Sequence, residues 1–245
     1  MSRFKIIGRK TCLTVLLTVG GMVSVALAAD DLHTPKTGDA KYVFIINTAE
    51  SPALKDWARE KLTPALAEWY PKIVALLPSE GFTAPPQFTI VIKPMDGVAY
   101  TVGTNIFASA DWLQKEINGE AVGALIHEAV HVVQQYGPHA RNPGWLVEGC
   151  ADYIRWFKFE PQNHGADLVW LRRHEKNFSP HYHDSYRVTA NFLNWVTEKY
   201  DREIVAQMNA AMRAGQYEEG LWKKFTGRTV AELGAEWKKT ISDQL

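Results

Sequence analysis

Apolar and polar positions along this chain follow two periods, and the change from one to the other divides it into segments. Residues 42–46 form an apolar, β-rich run closed by Asn47, which predicts a buried strand. Over residues 52–77 the spacing turns helical, because Leu54, Trp57, Leu62, Leu66, Trp69, Ile73 and Leu76 recur on one face. Pro64 and Pro71 are expected to bend or divide that helix. Beyond the Pro85-Pro86 loop, strands are expected at 88–92, 98–102 and 105–109, the last two joined as a hairpin at Gly103-Thr104. An edge strand there, just upstream of the histidines described below, could pair with an extended peptide through main-chain hydrogen bonds. An ordinary structural hairpin fits the same pattern.

Helical periodicity takes over from residue 118. A helix over 118–136 has Asn118 as its N-cap, Glu120 in its first turn and Gly137-Pro138 as its stop. After a loop at 141–144, a second helix runs over 145–159, and further amphipathic helices are expected at 185–199, 201–214, 217–225 and 229–242. No fixed-period repeat interrupts this order. A small mixed sheet followed by helices is an α+β arrangement, and 245 residues suit one principal domain, here 42–245, with a polar leader at 29–41.

The first residues stand apart from that fold. Arg3, Lys5, Arg9 and Lys10 precede an apolar run over 12–27, and Ala26-Leu27-Ala28 follows as a small-residue site, so residues 1–28 read as a secretory signal cleaved after Ala28. The alternative is an uncleaved membrane anchor. Cleavage would make the mature protein secreted or periplasmic, with no stable membrane insertion. It would also remove four of the 27 basic residues and none of the 27 acidic ones, leaving a mildly acidic chain that lacks the basic excess needed for nucleic acid. Cys12 would leave with the signal, so Cys150 cannot form an internal disulfide and is expected as a small buried hydrophobe.

Within the helix at 118–136 stands His127-Glu128-Ala129-Val130-His131. Residues four apart share a helix face, so both imidazoles can reach one cation at about 2.0–2.1 Å, the distance zinc requires. Glu128 is offset from that face and suits a general base beside a metal-activated water. The bland alternative is a pair of solvated histidines, but Leu125, Ile126, Val130, Val132 and Val133 make the surroundings apolar. A catalytic site needs a third ligand and one open place, and Glu148 supplies that ligand from the next helix. Asp152, four residues on, faces the same way and is assigned as acceptor for a ligand histidine. Both acids interrupt an apolar helix, which argues against a merely solvated face.

The joined segments HEAVHVVQQYG, PGWLVEGCADYIRW and SYRVTANFLNWV resemble the basic secretory protein peptidases of plants and bacteria, over roughly residues 42 to 240. That resemblance implies a zincin-like fold with one zinc ion held by His127, His131 and Glu148, and the leading expectation is a zinc endopeptidase or related amide hydrolase acting on a peptide or protein substrate. The acidic mature chain departs from the basicity in the family's name. The mechanism implied is hydrolysis by zinc-activated water with Glu128 as base. Tyr186 is the first choice to stabilise the oxyanion, with Tyr153 or His183 as reserves. The stretch from His181 to Asp184 reads as a solvated loop rather than a second metal site, and the nine tryptophans read as core rather than a sugar platform. Two other readings compete: a non-catalytic zinc-binding protein whose site is closed by a fourth ligand, and a helical interaction protein in which the pentad is accidental. Oligomeric state is not legible.

Overall fold

A computed structural model describes residues 32–137, 141–174, 180–184 and 186–242. The signal segment, its cleavage site, Pro138 and Ser185 lie outside the described residues. Five strands form one sheet: β1 (Leu32–His33), β2 (Val43–Asn47), β3 (Gln87–Lys93), β4 (Ala99–Val102) and β5 (Asn105–Ser109). Their order is β1-β2-β3-β5-β4, with β2, β3 and β5 parallel and both outer strands antiparallel to their neighbours. The sheet is therefore mixed, as expected. Part of the polar leader belongs to it, because Leu32 and His33 pair with Asn47 and Ile46. The hairpin forms as predicted, but its first strand, β4, takes the edge, while β5 is enclosed between β3 and β4.

Alternate residues Phe44, Ile46, Phe88, Ile90, Ile92, Ile106 and Ala108 are buried, which turns one face of the sheet into core. The helical segment between β2 and β3 packs there. It starts with α1 (Lys55–Trp57), passes through a π-helical turn at Ala58–Leu62 and continues as α2 (Thr63–Leu76). Pro64 would clash with a carbonyl four residues back in a regular helix, and the wider turn just before it accommodates the ring. Pro71 sits inside α2 without ending it. Tyr70 of α2 lies 4.9 Å from Phe88 and 5.9 Å from Phe44, ring to ring, and its hydroxyl donates to Pro85 O at 3.0 Å.

The remaining elements are α3 (Ala110–Lys115), α4 (Ala121–Gln134), α5 (Gly144–Ile154), α6 (Leu168–His174), α7 (Tyr186–Lys199), α8 (Ile204–Arg213), α9 (Gly220–Thr226) and α10 (Val230–Ser242). The start of α4 differs from expectation: Glu120 rather than Asn118 precedes its first turn. Residues 116–121 fold as a turn, with Gly119 N–H and Ala121 N–H donating to Glu116 O, so Asn118 never reaches a cap position. Its other end closes at Gln135, which takes a left-handed φ of 43°, ahead of Gly137. Arg213 of α8 satisfies carbonyls left open there, donating to Val133 O at 2.9 Å and Gln134 O at 3.1 Å. The helix predicted at 145–159 is α5 followed by a π-helical turn at Arg155–Phe159. Short α6 escaped prediction, since seven residues barely establish a period.

Two glycines let the helices approach. A Cβ on Gly149 would meet Thr189 Cγ2 at 2.1 Å, so α5 and α7 touch through that bare position. On Gly123 it would meet Glu160 Oε1 at 2.1 Å and Arg155 Nε at 2.8 Å, which is how α4 accepts the buried Arg155–Glu160 pair. Cys150, Trp222 and Trp237 are buried as expected of core residues. Among the described residues no helix is long and apolar enough to cross a membrane.

Gly149→Ala should lower stability by about 1–3 kcal/mol, since overpacking outweighs the better helix propensity of alanine. Thermal unfolding of wild type and variant checks this; an unchanged or raised melting temperature would show that α7 moves aside freely.

Candidate metal centre

Helix α4 is apolar on nearly every side, with Leu125, Ile126, Ala129, Val130, Val132 and Val133 fully buried. His127 and Glu128 share that interior, at 6% and 7% exposure. Buried imidazoles need partners, and each has one. His127 Nδ1 lies 2.6 Å from Asp152 Oδ1, and His131 Nδ1 lies 2.7 Å from Gln134 Oε1. Because both acceptors face Nδ1, that nitrogen carries the proton in each neutral ring and both Nε2 lone pairs point elsewhere.

They point at each other and at Glu148. The Nε2 atoms are 3.1 Å apart, and Glu148 Oε2 is 3.2 Å from His127 Nε2 and 3.3 Å from His131 Nε2. A tetrahedral ion with arms of about 2.0–2.1 Å has ligand-to-ligand edges of about 3.3–3.4 Å. The three atoms match that spacing, and two imidazoles with one carboxylate are donors suited to zinc. His127, His131 and Glu148 form the one group of three or more potential metal-binding side chains among the described residues. The stretch from His181 to Asp184 contributes none.

Electrostatics follow the same geometry. Burial pushes the His127 pKa down, but Asp152, by charge and hydrogen bond, and then Glu148 and Glu128 outweigh it and raise it to about 10 when protons alone compete for the ring. Glu148 moves the other way. Burial favours its neutral form, yet when protons rather than a metal occupy the Nε2 side, hydrogen bonds from His127 and His131 hold its carboxyl far below the usual range.

These three atoms open into a cleft of about 980 Å³. Edge strand β4 forms one wall, and both ends of α4 line it, from Glu120 and Ala124 to Gln134 and Gln135. Glu128 faces the cleft beside the ligands, with Oε2 accepting from Thr101 Oγ1 at 2.7 Å. Tyr186 stands across from them, 54% exposed, its ring stacked 6.1 Å from that of His127. Its φ of 46° is strained for a tyrosine, which singles out the position. The charge of Glu148, then burial, raises the phenol pKa, so the hydroxyl stays protonated and can donate. At the far end Glu120 accepts from Arg155 at 2.9 Å and Arg187 at 2.5 Å, tying α4 to the following helices. Burial raises the Glu120 pKa, but the two guanidiniums bring it below its ordinary value.

Each predicted ligand, the predicted base Glu128 and Asp152 thus line one cleft, and Tyr186 joins them. The reserves do not: Tyr153 is buried beside Phe157, and His183 lies outside the cleft. Sequence reasoning missed Gln134 and Thr101. Gln134 had a readable signal, as an amide three residues after His131 in an apolar helix. It binds His131 on one side and Val147 O, at 3.0 Å, on the other, linking α4 to α5. Thr101 had none, because its contact spans 27 residues.

A mixed sheet backed by a buried His-Glu-x-x-His helix, with an acid from the next helix, defines the zincin-like α+β class. One solved structure agrees on the fold. An M1 zinc metallopeptidase from Deinococcus radiodurans is similar at 14% identity and a TM-score of 0.51, over 86% of this chain and 50% of that one. A two-domain M1 zinc metallopeptidase variant bound to L-arginine aligns at 14% identity and a TM-score of 0.45, over 86% and 49%. The chain therefore spans about half the length of the solved proteins it matches, and at this identity the likeness is one of fold alone. No curated protein matches it. The chain belongs to the family described as peptidase of plants and bacteria, whose match covers residues 45–237.

A pKa of about 10 for His127, against 6.5 for a free imidazole, means that its stabilising contribution is complete below pH 6.5 and is lost as pH rises towards 10. Chelator-treated protein should therefore lose melting temperature across that window, whereas zinc-loaded protein, with His127 already neutral, should vary less. Zinc binding at pH 7–8 should release protons, measurable by calorimetry in buffers of different ionisation enthalpy. A flat profile with no proton release would remove His127 from the site.

Proposed function

We propose that this protein is a secreted zinc-dependent endopeptidase, with one zinc ion held by His127, His131 and Glu148. The observation that carries the reading is the triangle of two Nε2 atoms and one carboxylate oxygen, 3.1–3.3 Å on a side, open to a cleft beside Glu128. Family membership supports peptide hydrolysis. Zinc held in that triangle would supply Lewis acidity to the scissile carbonyl and to water.

The chain's own groups do the rest. Glu128 takes a proton from the attacking water and delivers it to the amine nitrogen as the C–N bond breaks. Tyr186 donates a hydrogen bond to the oxygen that gains charge in the tetrahedral species. Asp152 and Gln134 hold the ligand imidazoles in the tautomer that offers Nε2. Ser109 N–H donates to Val98 O, so the antiparallel ladder turns the main-chain groups of Ala99 and Thr101 away from β5 and towards the cleft. An extended substrate can pair with them as an added strand. Residues from both ends of α4 line the cleft, and a site of that length supports the endopeptidase reading.

A closed, non-catalytic zinc site would need a fourth protein ligand, and the group at hand has three members among the described residues. That favours the open, catalytic arrangement. Secretion rests on the basic and apolar pattern of residues 1–28; N-terminal sequencing of protein exported by its source cell should begin at residue 29.

Glu128→Gln should bind one equivalent of zinc and lose hydrolysis of a mixed peptide library by at least about 10²–10⁴-fold. Full activity in that variant would remove Glu128 as base. Tyr186→Phe should keep zinc and lose roughly 10²-fold in kcat; a change confined to KM would make Tyr186 a binding group instead.

A further inference from the structure

We infer that Thr101 is a positioning residue for Glu128, holding its carboxylate towards the cleft and tying it to the strand against which substrate lies. The inference rests on the proposed role of Glu128 as base and concerns what orients that base.

The geometry is specific. Thr101 Oγ1 lies 2.7 Å from Glu128 Oε2 and 3.1 Å from Glu128 O. A hydroxyl has one proton, and the shorter contact with the charged oxygen takes it. Glu128 is 7% exposed, so little water competes for its oxygens, and no other side chain is hydrogen-bonded to its carboxylate among the described residues. A carboxylate with three rotatable bonds thus has its direction set by one neighbour.

That neighbour is well placed to fix it. Successive side chains of β4 point to opposite faces, with Tyr100 and Val102 largely exposed and Thr101 turned inward on α4. The β-branched side chain restricts χ1, so its hydroxyl keeps one heading relative to the strand. The main-chain N–H and C=O of Thr101 face the cleft, as derived above from the β4–β5 register. One residue therefore presents its backbone to a docking peptide and its side chain to the base. A shift of the substrate strand along β4 is a shift relative to Glu128.

Thr101→Val keeps the shape and removes the hydroxyl, whereas Thr101→Ser keeps the hydroxyl and removes a methyl. Thr101→Val should lower kcat by about 10- to 100-fold, with KM within about twofold and one equivalent of zinc still bound. Thr101→Ser should recover most of that loss. In the Glu128→Gln background, Thr101→Val should cost nothing further. The infrared carboxylate bands of Thr101→Val should differ from wild type in metal-free and zinc-loaded protein alike, a difference absent when Glu128 is Gln. Wild-type kcat in Thr101→Val, an equal loss in both Thr101 variants, or a rise in KM alone would overturn the inference while leaving Glu128 as base. Undiminished hydrolysis by Glu128→Gln would instead overturn the function reading, and this inference with it.

Discussion

Two imidazole nitrogens and a carboxylate oxygen stand 3.1–3.3 Å apart at the floor of a cleft, each aiming a lone pair into the same small volume. Such atoms repel one another unless positive charge lies among them, whether a proton on His127 or a metal ion. The rest of the molecule reads as a device for sustaining that arrangement. Asp152 and Gln134 occupy the Nδ1 sides of the rings and so leave Nε2 no other role. Gln134 reaches on to Val147 O, one residue before Glu148, so the helices carrying His131 and Glu148 share a hydrogen-bonded bridge. Gly149 lets α5 lie against α7, and Gly123 makes room for the Arg155–Glu160 pair behind α4.

The ends of α4 are fixed with similar care. Glu120 at its start accepts from Arg155 and Arg187, while Arg213 covers carbonyls at its finish. A helix restrained at both termini and packed on nearly all sides has little freedom to roll. Rolling would separate His127 from His131 as seen by Glu148, so this restraint serves the preorganisation that metal binding and catalysis both need.

What could be read from the sequence divides along the range of the interactions. The His127-to-His131 spacing and the four-residue step from Glu148 to Asp152 are local helix geometry, and the structure brings the two Nε2 atoms together and sets both acids against His127. Strands and most helices were legible for the same reason, through periods of two and 3.6. Boundaries set by tertiary partners were not. Asn118 carries a good cap chemistry, yet the turn anchored on Glu116 O and the arginines on Glu120 decide where α4 begins. The edge position of β4 depends on which strand β3 pairs with, and the Thr101 contact on how the sheet lies over α4. Neither leaves a periodic trace. Residues 32 and 33 read as leader because two residues are too few to show alternation.

Metal occupancy of this triangle is tested most directly by crystallographic anomalous scattering at the zinc absorption edge. One peak is expected between His127 Nε2, His131 Nε2 and a Glu148 oxygen, about 2.0–2.1 Å from each, with the fourth place taken by solvent. A peak elsewhere, a fourth protein ligand closing the site, or no peak in protein soaked with zinc would contradict it.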